Sequence, residues 1–108
     1  MKARILVALG CLGALVAAPA RAYDGQEQDF AACTQGQGKV DNASVVAACT
    51  RLIDNAATEN EMVGFFYALR ASANDDKASN CRDAQKVLEL TKDPTFVDGA
   101  KTLIKVNC

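Results

Sequence analysis

Histidine and tryptophan are absent from this sequence of 108 residues. Histidine is the usual general base near neutral pH and the base of the common serine and cysteine triads, so those forms of catalysis are excluded. Thirteen Asp and Glu nearly balance twelve Lys and Arg, which excludes the strongly basic surface of a nucleic-acid-binding domain. No glycine-rich phosphate loop and no calcium loop occur. We therefore expect a protein that is not an enzyme, holds no cofactor and has no nucleic-acid partner.

Long hydrophobic runs are also lacking. The longest, residues 5–16, contains twelve apolar residues, fewer than the roughly 20 that a membrane-spanning helix needs. It follows a short basic start and precedes Ala20-Arg21-Ala22, whose alanines occupy the two positions that signal peptidases recognise. This pattern predicts a secretory signal peptide over residues 1–22, cleaved before Tyr23, with an uncleaved anchor as the alternative. We expect export to the periplasm or the extracellular space, and no stable membrane insertion after cleavage.

Residues 23–108 are long enough for a single small domain. They contain nine basic and thirteen acidic side chains, a net charge of −4, and seven of these acids lie in residues 23–61 beside only two bases. An acidic half of this kind is most often a solvated surface and less often a face for a basic partner.

Four cysteines remain in this domain, and no pair of them has the C-x-x-C spacing that zinc sites commonly use. They are Cys33, Cys49, Cys81 and Cys108. An even number of cysteines in a short exported chain indicates disulfides, here two, rather than a metal site.

Apolar residues recur with helical spacing in four segments, and no segment has the alternating pattern of a strand. The predicted helices begin near residues 42, 59, 77 and 94, and a short segment around Phe30 is expected to form one or two helical turns. Asp93 and Pro94 supply a typical helix start. Short connections between helices indicate antiparallel neighbours, so the fold class is all-α, with about four antiparallel helices in two helical hairpins stapled by two disulfides.

This arrangement favours one of the three possible disulfide pairings. Cys81 lies near the start of the third predicted helix and Cys108 at the end of the fourth, which an antiparallel hairpin brings together. We therefore predict a disulfide between Cys81 and Cys108. The remaining pair, Cys33 and Cys49, would form the second disulfide and hold the short N-terminal segment against the first predicted helix.

The helix starts repeat at intervals of about 35 residues, close to the period of tetratricopeptide repeats. Residues 48–53, ACTRLI, resemble the ACTxLI motif of small repeat arrays in exported bacterial proteins. Residues 60–94 resemble one degenerate tetratricopeptide repeat, with Ala68 at its small position and Asp93-Pro94 closing the unit. The aromatic residue late in the second helix of such a repeat is missing. The resemblance implies a repeat-like stacking of helix pairs.

Three consecutive aromatic residues, Phe65, Phe66 and Tyr67, cannot all face one neighbouring helix, because successive residues are rotated by 100°. Either two neighbouring helices cover them, or one aromatic residue is partly exposed and binds a partner together with Arg70, as Tyr and Arg do at interaction hot spots.

We predict a non-enzymatic exported protein-binding domain whose candidate contact residues are Tyr67 and Arg70. The alternative is a small inhibitor or immunity-type protein that blocks a secreted enzyme or toxin.

Overall fold

The computed structural model describes residues 23–108, and within this range the chain is entirely helical. The predicted signal peptide lies outside the described residues. Five helices follow one another along the chain, and we label them α1 (Gln26–Gln35), α2 (Asn42–Asp54), α3 (Glu61–Ala73), α4 (Lys77–Leu90) and α5 (Pro94–Asn107). The all-α prediction and the absence of strands in this part of the chain are confirmed.

The helices α2 to α5 begin where a short polar side chain accepts a hydrogen bond from a backbone N–H of the first turn, as N-caps do. These caps are Asp41, Asn60, Asp76 and Asp93. The predicted start of the last helix at Asp93 and Pro94 is therefore confirmed. The helix expected from residue 59 begins at Glu61 instead, because the Asn60 side chain provides the cap.

The expected count of about four helices was too low, because α1 is a complete helix of ten residues rather than one or two turns. It starts after Gly25, whose φ of 89° is a left-handed conformation that glycine adopts without strain. Its sequence, QEQDFAACTQ, has no wide apolar face, and only Asp29 and Cys33 are buried. Contacts to other helices, rather than its own pattern, hold α1 in place.

Helix α3 is the centre of the fold, because it contacts each of the other four helices, whereas α1 and α5 lie on either side of it. Two buried clusters meet along α3. One surrounds Phe66 and joins α1, α2 and α3. The other joins α3, α4 and α5 through small residues, with Ala68, Ala84 and Ala100 among its members.

Both predicted disulfides are confirmed. Cys33 is bonded to Cys49 and Cys81 to Cys108, across separations of 16 and 27 residues. The first bridge joins α1 to α2 and is completely buried, whereas the second joins the first half of α4 to the residue that follows α5, and Cys108 is exposed. In an 86-residue domain, two bridges that each typically contribute about 2–4 kcal/mol represent a large share of the total stability.

None of the helices in residues 23–108 has both the length and the apolar character that crossing a membrane would require.

Candidate binding surface

The three consecutive aromatic residues of α3 point to three different neighbours. The Phe65 ring stacks on Phe96 of α5, with ring centroids 4.2 Å apart. The Phe66 ring meets Phe30 of α1 edge to face at 6.1 Å. Tyr67 packs against the cluster shared with α4 and α5. The central position of α3 therefore accounts for the aromatic triplet, because several neighbours surround this helix.

Arg70, one of the two predicted contact residues, is held inside the protein. Its Nε and Nη2 atoms each donate to a carboxylate oxygen of Asp83 at 2.8 Å, and its Nη1 donates to the Thr50 hydroxyl at 3.1 Å. The Arg70 side chain is only 17% exposed and that of Asp83 6%. The bonds to Asp83 raise the pKa of the Arg70 guanidinium. This network joins α2, α3 and α4.

Tyr67, the second predicted contact residue, lies beside Arg70, whose guanidinium carbon is 5.4 Å from the ring centroid. The ring is half-buried, and burial is the largest cause of its raised pKa. The structure therefore brings the two predicted residues together, but on the side of α3 that faces α2 and α4. Because the Arg70 guanidinium is bonded to Asp83 and Thr50, a partner at this position would compete with internal contacts.

A second ion pair, which the sequence patterns did not reveal, connects α1 to α2 and joins the buried Asp29 to the exposed Arg51. Arg51 donates to both carboxylate oxygens of Asp29 at 2.8 and 2.9 Å, and the Tyr23 hydroxyl donates to Asp29 at 2.8 Å. The bonds from Arg51 lower the pKa of Asp29. Burial, followed by the bond to Asp29, raises the pKa of Tyr23 to about 12. This cluster fixes Tyr23, the predicted first residue after cleavage, onto the fold.

An open groove runs between α3 and α5 on the surface away from α4. It has a volume of about 340 Å³, and small or apolar side chains form most of its lining. The lining residues are Ala68, Leu69, Ser72, Thr95, Phe96, Gly99, Ala100, Thr102 and Leu103. A Cβ atom added at Gly99 would meet no atom within 4 Å, so there is open space beside α5 at this position of the lining.

The outward stripe of α3, defined as Met62, Phe65, Leu69 and Ser72, borders this groove. Successive members are three or four residues apart and therefore share one helix face. Met62 is 46% exposed, although it lies one helical turn before the buried Phe66. Helical spacing places Met62 and Phe66 on nearby faces of α3. It does not reveal whether a neighbouring helix covers Met62.

Two large apolar side chains, one on α1 and one on α3, are exposed. Phe30 of α1 is 40% exposed and touches Phe66, and Met62 lies one turn before Phe66 on α3. Met is unbranched and adaptable, and it is frequent at surfaces that bind varied partners. Together with the groove, these side chains make the face formed by α1, α3 and α5 the best candidate for a binding surface.

Comparison with protein-family models, with curated proteins and with solved structures finds no match.

Proposed function

We propose that the protein is a non-enzymatic exported domain that binds another protein through the groove between α3 and α5. The open groove is the observation that carries the proposal. A glycine in the interior of an exposed helix costs about 1 kcal/mol relative to alanine. Gly99 occupies such a position in α5 and lines the groove, and since a Cβ atom there would meet open space, internal packing does not require glycine and a binding role would account for it.

Export is part of the same proposal. Structural disulfides persist in oxidising compartments such as the periplasm, and three of the four bridged cysteines here lie within helices, while Cys108 directly follows α5. The signal peptide predicted over residues 1–22 accounts for how the chain would reach such a compartment.

A repeat-like arrangement of two helical hairpins, α2 with α3 and α4 with α5, also belongs to the proposal. Two equivalent caps support it. Asp41 accepts a hydrogen bond from the backbone of Ser44 at the start of α2, and Asp76 accepts one from Ser79 at the start of α4. The caps are 35 positions apart, close to the period that tetratricopeptide repeats would give.

Affinity capture tests the proposed function. The oxidised protein would be immobilised, exposed to the exported fraction of its own cells, and compared with the G99L variant, whose added side chain fills the groove. We expect a partner that the unmodified protein retains and G99L does not. Tyr67→Phe, at the other predicted contact position, is the matched comparison on the opposite side of α3. Loss of the partner with Tyr67→Phe and its retention by G99L would assign binding to Tyr67 and Arg70 instead.

Inhibition of a secreted enzyme is the second candidate. The excess of acidic side chains in residues 23–61 favours it, because an acidic surface suits a basic enzyme. Activity of the captured partner decides between the two roles: an inhibitor lowers that activity in proportion to the complex formed, whereas a scaffold or adaptor leaves it unchanged.

A further inference from the structure

We infer that the partner docks a basic amphipathic helix along the face formed by α1, α3 and α5. This inference rests on the proposed binding function and adds the chemistry of the partner. It combines the shape of the groove, the apolar side chains around it, and an uneven distribution of charge along the helices.

The shape of the groove between α3 and α5 favours a helical partner. The outward stripe of α3 extends over three helical turns, roughly 15 Å, beside α5. Leu69 and Phe96 supply apolar walls, and Ala68, Gly99 and Ala100 leave space between them. An amphipathic helix places apolar side chains at intervals of three and four residues, and these would fit along such a groove.

Acidic side chains are concentrated at one end of the molecule, where α1, α3 and α5 begin and where α2 and α4 end. Contacts between the helices establish this placement: Arg51 reaches Asp29, and the Thr91 hydroxyl donates to Glu61 at 2.8 Å. This acidic end holds nine acids and three bases. The acids are Asp24, Glu27, Asp29, Asp54, Glu59, Glu61, Glu89, Asp93 and Asp98, and the bases are Arg51, Lys86 and Lys92.

The opposite end has the opposite balance, with four acids and six bases. The acids are Asp41, Asp75, Asp76 and Asp83, and the bases are Lys39, Arg70, Lys77, Arg82, Lys101 and Lys105. The exposed apolar residues Phe30 and Met62 lie toward the acidic end. The acids lie beside Phe30 and Met62, whereas the groove lies farther along α3, so a partner that carries lysine or arginine at one end of its apolar face would fit this distribution.

An antiparallel second copy of this chain would place each acidic end against a basic end, and the oligomeric state of the free protein tests this occupant. In the parallel orientation two acidic ends would meet, and like charges across an interface are repulsive. The net charge of −4 on residues 23–108 adds to this repulsion at longer range.

A synthetic amphipathic helix of about four turns, with leucine on one face and lysine on the other, is the probe. Its affinity for the oxidised protein would be measured by fluorescence anisotropy, with the same peptide carrying glutamate for lysine as the comparison. We expect the lysine peptide to bind more tightly, with an affinity that falls as salt is added. Equal affinity for the two peptides would overturn the inferred charge preference.

Variants of the protein locate the binding site. Gly99→Leu should weaken binding of the lysine peptide about tenfold or more, the effect of losing about 1.4 kcal/mol. It should melt at or above the wild-type temperature, because the added side chain meets open space. Met62→Lys should also weaken binding, whereas Val106→Lys, at an exposed apolar residue of the other end, should not. A folded G99L protein that binds with wild-type affinity would overturn the groove as the site.

Charge reversal tests the acidic end. Glu27→Lys should weaken binding about two- to fivefold, the usual range for an exposed ionic contact. Asp75→Lys makes the same charge change at the other end and should leave the affinity unaltered. Equal effects of the two substitutions would overturn the proposed orientation of the partner.

Light scattering on the protein without peptide completes the test. A monomer is expected, and a dimer that disappears in G99L would show that a second copy covers the groove, which overturns the inference. The inference can also fail while the binding function stands, if the captured partner is lost by G99L but presents an acidic surface. Failure to capture any partner would count against the proposed function itself.

Discussion

Arg70 and Asp83 face each other between α3 and α4 and share two hydrogen bonds of 2.8 Å, with both side chains more than four-fifths buried. Such a pair is costly to break, because removal of one partner leaves the other charge buried without compensation. The pair also fixes the register of α3 against α4.

Arg70→Ala should therefore lower the free energy of unfolding by about 3–5 kcal/mol. Arg82→Ala, at an exposed arginine of α4, should change it by less than about 0.5 kcal/mol. The double substitution of Arg70 by Met and Asp83 by Leu should recover most of the loss, since it removes both charges. Urea unfolding followed by circular dichroism measures all three. Equal midpoints for Arg70→Ala and Arg82→Ala would show that the pair does not stabilise the fold.

Phe66 and Met62 offer a comparison within one helix. Phe66 is 6% exposed at the junction of α1, α2 and α3, so Phe66→Ala should cost about 3–5 kcal/mol. Met62 is 46% exposed, so Met62→Ala should cost less than about 0.5 kcal/mol. Thermal melts of the two variants test this difference. A large loss with Met62→Ala would mean that the outward stripe of α3 is covered in solution.

Part of this fold could be predicted from sequence because its signals are local. The cap at Asp93 and the repeating apolar residues of α2 depend on neighbours within one or two turns. The disulfide pairing followed from the short connections between helices. Helix α1 could not be recognised in the same way, because a bridge from Cys33 and an ion pair from Asp29 stabilise it, and both partners lie on α2.

The binding surface was less predictable for a related reason. The groove arises where α3 meets α5, two helices that are not consecutive in the chain, and the spacing of residues in either helix carries no information about that contact. Tyr67 and Arg70 were selected because exposed Tyr and Arg are frequent at interfaces. Sequence could not show that Asp83 lies across from Arg70 and binds its guanidinium.

The two glycines that lie within helices of residues 23–108, Gly64 and Gly99, are expected to respond to substitution in opposite directions. A methyl group at Gly64 would lie 3.0 Å from Cβ of Leu90, so Gly64→Ala should destabilise the protein, since crowding of this kind costs about 1–3 kcal/mol. Gly99→Ala meets open space and should stabilise it by about 0.5–1 kcal/mol. Differential scanning calorimetry compares the two. A higher melting temperature for Gly64→Ala would show that α4 shifts readily away from α3.

Both tyrosines of the chain should ionise at unusually high pH. The pKa of Tyr23 is raised to about 12 and that of Tyr67 is raised above its ordinary value. A raised pKa means that the folded state favours the protonated phenol, so this contribution to stability is complete below pH 10 and is lost as the pH rises toward 12. Absorbance at alkaline pH follows the ionisation. Tyr23→Phe should remove the ionisation near pH 12. A normal titration of both tyrosines near pH 10 in the folded wild type would contradict the structure.

The disulfides should differ in their resistance to reduction. Cys33 and Cys49 are completely buried, whereas Cys108 is exposed. Because a thiolate must reach a sulfur atom to attack it, dithiothreitol under native conditions should reduce Cys81–Cys108 first. Alkylation followed by peptide mass mapping identifies the order. In denaturing urea, where both bridges are accessible, the two rates should become similar, and earlier reduction of Cys33–Cys49 in native buffer would contradict the burial of that bridge.

The order of the cysteines has a consequence for how the protein would mature. Each bridge joins neighbours among the four cysteines of residues 23–108, Cys33 with Cys49 and then Cys81 with Cys108. In a chain that emerges from a membrane channel starting at its N-terminus, Cys33 and Cys49 meet an oxidant before Cys81 has appeared. The native bridges then form in sequence, and such a protein has little need for an isomerase to rearrange wrong pairs.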